Sequence, residues 1–245
     1  MSFSIVTVTL NSAKTLADTI DSVRRQKGVL VQHIIKDGGS KDETLEIASQ
    51  KPGMIEIVEQ KDVGIYDAMN QGFAHTKNDY VGFLNSDDYF SYDFALRDIE
   101  DIFNTESCDV VYGDIEIIDD KGKVARYWKT GELKGGRLSG MQIPHPAIFV
   151  RRDSLLKLKQ PFDPKYKISS DFKQQLQLLN ELKLSSRYLK KTLVTMRSGG
   201  ASSANFGSVL LGWKECIKAY QEVTGRSGLL FVASKVIRKL GQLRS

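Results

Sequence analysis

The feature that most constrains this chain is an alternation of strand-like and helix-like patterning through its first 115 residues. Runs rich in β-branched and aromatic residues occupy 4–9, 31–36, 55–58, 80–84 and 109–115. Between them apolar residues recur at helical spacing over 13–26, 43–50, 66–75 and 92–103. Strands joined by helices need right-handed crossovers, which align them in a mostly parallel sheet covered by helices on both faces. The fold class expected is therefore α/β. Ligands of such sheets gather beyond the C-terminal ends of the strands, so the loops there are the first place to look for chemistry.

The second half is less regular. A hairpin is expected over 111–128, turning at Asp119-Asp120-Lys121-Gly122, and a polar, Gly-containing loop over 129–142. Its length suits a mobile or functional segment. A strand at 147–151, a helix at 171–182, a strand at 186–196 and a helix at 206–222 complete the pattern. With 245 residues the chain can form one large domain, or a domain of about 200 residues with a C-terminal appendage.

Lys and Arg exceed Asp and Glu by 35 to 30, a net charge of +5 that favours an anionic partner. Nucleic acid, a nucleoside diphosphate and an anionic membrane surface all qualify. The basic residues are spread along the chain without an aromatic and basic binding motif, which argues against nucleic acid. Cys108 and Cys216 stand far apart, without zinc or redox spacing, as expected in a reducing compartment. The N-terminus enters strand pattern at once, without the layout of a signal peptide, and no apolar run approaches the ~20 residues of a membrane span. These features lead to the expectation of a cytoplasmic protein.

Four motifs fall at loop positions beyond strands. Asp37-Gly38-Gly39-Ser40 follows the second strand, where glycines let the backbone approach a ligand and Asp37 offers a carboxylate to sugar or base donors. Gly64-Ile65-Tyr66-Asp67-Ala68-Met69-Asn70 opens a helix, and compensation of the helix dipole accounts for Asp67 equally well. Phe83-Leu84-Asn85-Ser86-Asp87-Asp88 runs from a strand into two adjacent carboxylates, which repel unless a cation or another positive group sits between them. Ser170-Asp171-Phe172 starts a further helix. Helix capping is the simpler alternative for the last two and for the Ser40–Asp42 turn.

Together these motifs resemble the family 2 inverting glycosyltransferases of the GT-A fold, in particular those of bacterial polysaccharide and lipopolysaccharide biosynthesis. The resemblance is carried also by Ile5-Val6-Thr7-Val8-Thr9-Leu10-Asn11, His145-Pro146 and Arg197-Ser198-Gly199-Gly200-Ala201-Ser202. It implies a mostly parallel nucleotide-binding sheet flanked by helices over 1–115, an acceptor-side half over 116–205, and a C-terminal helical extension over 206–245. It further implies that Thr9, Asn11 and Asp37 hold the nucleotide, with Asp37 facing the base. Gly39, Asp67, Asn85, Ser86 and Arg197 complete that set, Arg197 in a mobile segment that closes over the diphosphate.

Asp87 falls on the second carboxylate of the family's Asp-x-Asp metal motif. The first is Asn85 here, one charge fewer, which leaves Asp88 as the substitute ligand for Mn2+ or Mg2+. Asp171 falls on the general base, and His145 is placed on the acceptor side or in a packing role. The implied activity is transfer of a hexose-like sugar from a nucleoside-diphosphate donor, a UDP-sugar first, to a saccharide or polyprenyl-linked acceptor. A sugar nucleotidyltransferase is the main alternative. A nicotinamide-dependent oxidoreductase is disfavoured because no G-x-G-x-x-G follows the first strand.

Residues 226–245 carry five basic side chains and no acidic one. Leu229, Val232, Val236, Leu240 and Leu243 recur there at helical spacing. Such a helix suits either the anionic inner face of the cytoplasmic membrane or packing on the catalytic domain or on a second copy in a homodimer.

Overall fold

The computed structural model describes residues 2–241 apart from Pro52, Met54 and 200–205, and of residues 236 and 238–241 only the backbone. Gly200, Ala201, Ser202 and Leu243, singled out above, lie outside the described residues. The chain runs β1 (Ser2–Thr9), α1 (Leu16–Arg24), β2 (Leu30–Asp37), α2 (Thr44–Gln50), β3 (Ile55–Glu59), α3 (Ile65–Ala74) and β4 (Tyr80–Phe83). It continues through β5 (Tyr89–Phe90), α4 (Ala95–Thr105), β6 (Val110–Ile118), β7 (Val124–Trp128), β8 (Ile148–Arg151) and α5 (Arg152–Leu155). The last elements are α6 (Ser170–Leu176), which runs on into a π-helical turn, β9 (Ser186–Arg197), α7 (Phe206–Thr224) and α8 (Leu229–Gly241).

The strands form one sheet in the order β3-β2-β1-β4-β8-β6-β9-β5, with β7 paired to β6. The first four are mutually parallel, as their helical crossovers require. β8 then joins β4 and β6 antiparallel, while β6 and β9 run parallel. Along β1, side chains alternate between two apolar cores. Val6 and Val8 pack with Met69 and Phe73 of α3, and Phe3 and Ile5 pack with Tyr80, Phe103 and Phe149. Burial of both faces explains why these strands read as nearly continuous apolar runs.

α3 lies close on β1 because Gly72 faces it: a Cβ there would come within 2.5 Å of Val6 Cγ1. The core on that side extends to Phe172 and Leu176 of α6, Cys216 and Ala219 of α7, and Phe231 and Val232 of α8. The anticipated apolar stripe of α8 is redrawn by this packing. Phe231, outside the stripe, is buried, whereas Leu229, within it, is 62% exposed. No helix among the described residues is long and apolar enough to cross a membrane.

Candidate active site

The sheet reverses its winding at β1, with β2 on one side and β4 on the other, and the crevice at that switch point is where the motifs meet. Asp37 ends β2 and is buried. Its Oδ2 accepts the N–H groups of Gly39 (2.7 Å) and Ser40 (2.8 Å), and its Oδ1 accepts Ser40 Oγ at 2.5 Å. Asp37 thus folds its own loop. Gly39, at φ 103°, adopts a backbone that other residues reach only with strain and has open space where a side chain would be. A shallow cleft of about 250 Å³ lies here, lined by Asp37, Gly39, Ser40, Glu59, Gln60 and Lys61 among others.

Asn11 ties the β1 loop to the β2 loop: its N–H donates to Ser40 Oγ and its Oδ1 accepts Lys41 N–H, both at 2.8 Å. Thr9 Oγ1, at the end of β1, is buried without a partner among the described residues. Ser86 and Ser12 share a hydroxyl–hydroxyl hydrogen bond of 2.8 Å that joins the β4 loop to the same rim. Asp67 sits in the first turn of α3. Its Oδ2 accepts Val63 N–H and Gln71 Nε2, both at 3.0 Å, the reach-back expected of an acidic residue at a helix start.

Lys36 escaped the sequence reading. Its ammonium, fully buried, donates to Asp37 O (2.8 Å), Gln60 O (2.6 Å) and Asp62 Oδ2 (2.9 Å). Three donors meet three acceptors, so the ends of β2 and β3 are locked together beneath the crevice.

Beyond β4, the two acidic residues are followed at once by β5, which pairs with β9. The next helix starts only at Ala95, and Phe94 occupies its N-cap position, so Asp87 and Asp88 cap no helix and the capping alternative is excluded for them. Asp88 is buried. Its Oδ2 accepts Asn85 Nδ2 at 2.9 Å, while its Oδ1 and Asn85 Oδ1 are buried without partners among the described residues. Desolvation, reinforced by neighbouring Asp87, holds the Asp88 carboxyl well above the ordinary carboxylate range, and burial also raises Asp87. Unsatisfied buried oxygens beside two reluctant carboxylates form a place that a hard cation fits. Among the described residues no group of three or more His, Cys, Asp or Glu is placed to hold a metal ion by itself, so such a cation would complete its shell with water and ligand oxygens.

Arg197 closes this side. One guanidinium nitrogen donates to Asp87 O at 2.9 Å, another pairs with Asp18 at 2.6 Å, and the group lies over the Tyr89 ring. It stands at the end of β9, anchored by pairing with Ile118, rather than in an irregular segment.

Asp171 opens α6. Its Oδ2 accepts Gln142 Nε2 at 3.1 Å, and its Oδ1 lies 3.2 Å from Tyr66 Oη. Tyr66 Oη is also 2.5 Å from Ile168 O, and its single hydrogen cannot serve both acceptors. Burial, followed by the Asp171 charge, drives the Tyr66 hydroxyl well above its usual pKa, so the phenol stays protonated. His145 sits nearby, both ring nitrogens without solvent or a hydrogen-bond partner among the described residues. Desolvation lowers its pKa and the Asp171 charge partly offsets this, leaving it neutral near pH 7.

Phe83, at the end of β4, Tyr66, His145 and Phe162 form one aromatic cluster. Phe162 stacks on Tyr66 (5.8 Å) and meets Phe83 (4.9 Å) and His145 (5.5 Å) edge-on. Residues far apart in sequence, Asp171 and the Asn85–Asp88 run, thereby border one aromatic cluster at the same sheet edge. The loop entering α6 is held from outside the sheet. Buried Glu215 of α7 accepts the backbone N–H groups of Lys167 (2.8 Å), Ile168 (2.9 Å) and Ser169 (2.9 Å).

A parallel β3-β2-β1-β4 half-sheet with an acidic β4 loop, continued by a mixed half that brings a further carboxylate to its edge, defines an α/β protein of the GT-A type. Residues 4–158 match the model of the family described as Glycosyl transferase family 2. A PGL/p-HBAD biosynthesis glycosyltransferase of Mycobacterium tuberculosis is 31% identical over 206 residues, which cover 82% of this chain and 78% of that protein. S. aureus TarS 1–349 in complex with UDP has a TM-score of 0.66 at 17% identity, over 96% of this chain and 68% of that one. The mannosyltransferase PcManGT of Pyrobaculum calidifontis, in complex with GDP-Man and Mn2+, has a TM-score of 0.70 at 13% identity, over 95% and 68%. The chain belongs to glycosyl transferase family 2 and is a glycosyltransferase.

Proposed function

We propose that this protein is a metal-dependent inverting transferase that moves a hexose-like sugar from a UDP-sugar to a hydroxyl of a saccharide or polyprenyl-linked acceptor in cell-surface polysaccharide biosynthesis. The observation that carries this reading is that Asp171 and the Asn85–Asp88 run both border one aromatic cluster, Asp171 through Tyr66 and the run through Phe83. Inversion needs a base on the face of the sugar opposite the leaving group, and Asp171 is the residue assigned that role. As the acceptor oxygen bonds to the anomeric carbon, Asp171 takes the hydroxyl proton. The bond from the anomeric carbon to the phosphate oxygen breaks, and its electron pair leaves with the nucleoside diphosphate.

Asp87 and Asp88 would hold Mn2+ or Mg2+, whose charge offsets that of the departing diphosphate. Thr9, Asn11, Asp37, Gly39, Asp67, Asn85 and Ser86 frame the nucleotide, with the orphaned Thr9 hydroxyl facing a role in binding. Arg197 faces the diphosphate and His145 the acceptor. UDP bound to TarS and Mn2+ bound to PcManGT support the choice of donor and ion. Residues 1–205 are the transferase unit and 206–245 an extension. On α8, Leu230 and Ile237 are 84% and 70% exposed, and the segment has basic but no acidic residues, which suits the anionic inner face of the cytoplasmic membrane.

The test is a panel of UDP-, GDP- and dTDP-sugars scored for thermal stabilisation with and without Mn2+, followed by product analysis. Stabilisation by a UDP-sugar that needs Mn2+, with release of UDP, is expected. Release of pyrophosphate would identify a nucleotidyltransferase instead.

A further inference from the structure

We propose that Lys235, reaching in from the C-terminal helix α8, is a positioning residue that sets Asp171 through Gln142. This rests on the reading of Asp171 as the base. Lys235 Nζ lies 2.5 Å from Gln142 Oε1, and Gln142 Nε2 lies 3.1 Å from Asp171 Oδ2. An ammonium group has donors only, so it selects the oxygen end of the Gln142 amide and turns the nitrogen end toward the carboxylate. Without Lys235 that orientation rests on the single bond to Asp171, and the amide is freer to turn over. Flipped, it would present an oxygen to Asp171 and push the carboxylate away.

α8 is seated firmly enough to deliver this group. Phe231 is buried against Phe172, the neighbour of Asp171, at 4.7 Å between rings, and against Tyr220 at 5.2 Å. Ser234 Oγ donates to Gly140 O at 3.3 Å, and a Cβ on Gly140 would meet that hydroxyl at 2.4 Å. The 129–142 loop is thus gripped by α8 at both Gly140 and Gln142. Lys235 Nζ also lies 6.0 Å from the centre of the Phe172 ring and 3.6 Å from Cys216 Sγ, so the ammonium is held on two further sides. Asp171 then lies between Tyr66 Oη, 3.2 Å from one oxygen, and Gln142 Nε2, which donates to the other. A base displaced by an ångström loses a large part of its effect, which gives the C-terminal helix a direct influence on turnover.

The experiment is a double-mutant cycle on the full chain, with UDP release from the UDP-sugar selected by the panel as the rate and UDP binding with Mn2+ by calorimetry as the control. Lys235→Met keeps an unbranched side chain and loses the ammonium, and Gln142→Leu removes the link itself. Each should lower kcat about tenfold with UDP affinity unchanged, and the double variant should also lose about tenfold, not a hundredfold, because the two act in series. Gln142→Glu keeps a partner for Lys235 but gives Asp171 an oxygen in place of a donor, and should lose about as much kcat without loss of Tm. It serves if Lys235→Met fails to fold. Losses that multiply, or kcat within twofold of the parent in Lys235→Met or Gln142→Glu, overturn the proposal. Asp171→Asn separates the two readings: normal turnover there refutes the base itself, whereas an inactive Asp171→Asn beside a fully active Lys235→Met refutes only the positioning role.

Discussion

Asp171 has Gln142 Nε2 on one oxygen and the Tyr66 hydroxyl 3.2 Å from the other, and that arrangement sets a clear expectation for its isostere. Asp171→Asn keeps the shape and loses proton acceptance, so turnover should fall about 100-fold or more while UDP binding with Mn2+ persists. Steady-state rates and calorimetry on the same preparation check this. A second residue, His33, adds to the acid sensitivity of the fold. It is buried on β2 with Nε2 2.9 Å from Thr7 Oγ1, and burial pushes its pKa from 6.5 down to about 3. Between those two values the unfolded chain binds a proton that the folded chain refuses. Stability therefore falls as the pH falls through that window, by at most about 1.4 kcal/mol per pH unit. His33→Gln keeps a partner for Thr7 and cannot titrate. Its urea midpoint should vary less between about pH 6 and pH 4 than that of the parent, and an unchanged slope would assign the acid sensitivity elsewhere.

Among the elements, α7 and α3 place the site. α7 contributes Glu215, whose carboxylate gathers three successive N–H groups just ahead of Asp171. Glu215→Ala leaves those donors without partners and should cost about 3 kcal/mol in urea unfolding, with reduced turnover as the loop into α6 loosens. Glu215→Gln retains one acceptor and should cost less. α3 carries Tyr66 at its start and Gly72 at its contact with β1. Gly72→Ala should destabilise by about 1–3 kcal/mol, because Val6 must move out of a packed core to admit the methyl group. A variant as stable as the parent would show that the α3–β1 contact can relax.

On the scale of the whole molecule, α8 has two faces with different work. Phe231, Val232 and Lys235 look inward to the core and to Gln142, while Leu230 and Ile237 look outward. Each basic residue near an anionic bilayer contributes about 1 kcal/mol, which suits attachment that weakens with salt. Leu230→Ser with Ile237→Ser changes the outward face alone. The pair should abolish sedimentation with phosphatidylglycerol vesicles and leave UDP release intact. A full-length protein that ignores such vesicles, or that dimerises through this face, would replace the membrane with a second copy.

The sequence by itself determined the parallel half-sheet, the loops that border its crevice and the acidic run after β4. These are local matters: a strand has a period of two, a helix of 3.6, and turn residues mark the strand ends within a few positions. The two-residue strand β5 was too short to carry such a pattern, so the helix expected from Tyr92 starts at Ala95 instead. Only the tertiary structure decided which polar residues are buried and with whom. Nothing in the local pattern sets Lys36, Gln142, Glu215 and Lys235 apart, for their key partners stand 26, 29, 46–48 and 93 positions away. Such pairs have no periodicity, and a buried polar group is recognisable only by the donors and acceptors the fold brings to it. The same holds for α8. Its amphipathic pattern announced a helix, but which side would be covered depended on Phe172 and the 129–142 loop, and they turned Phe231 and Lys235 inward.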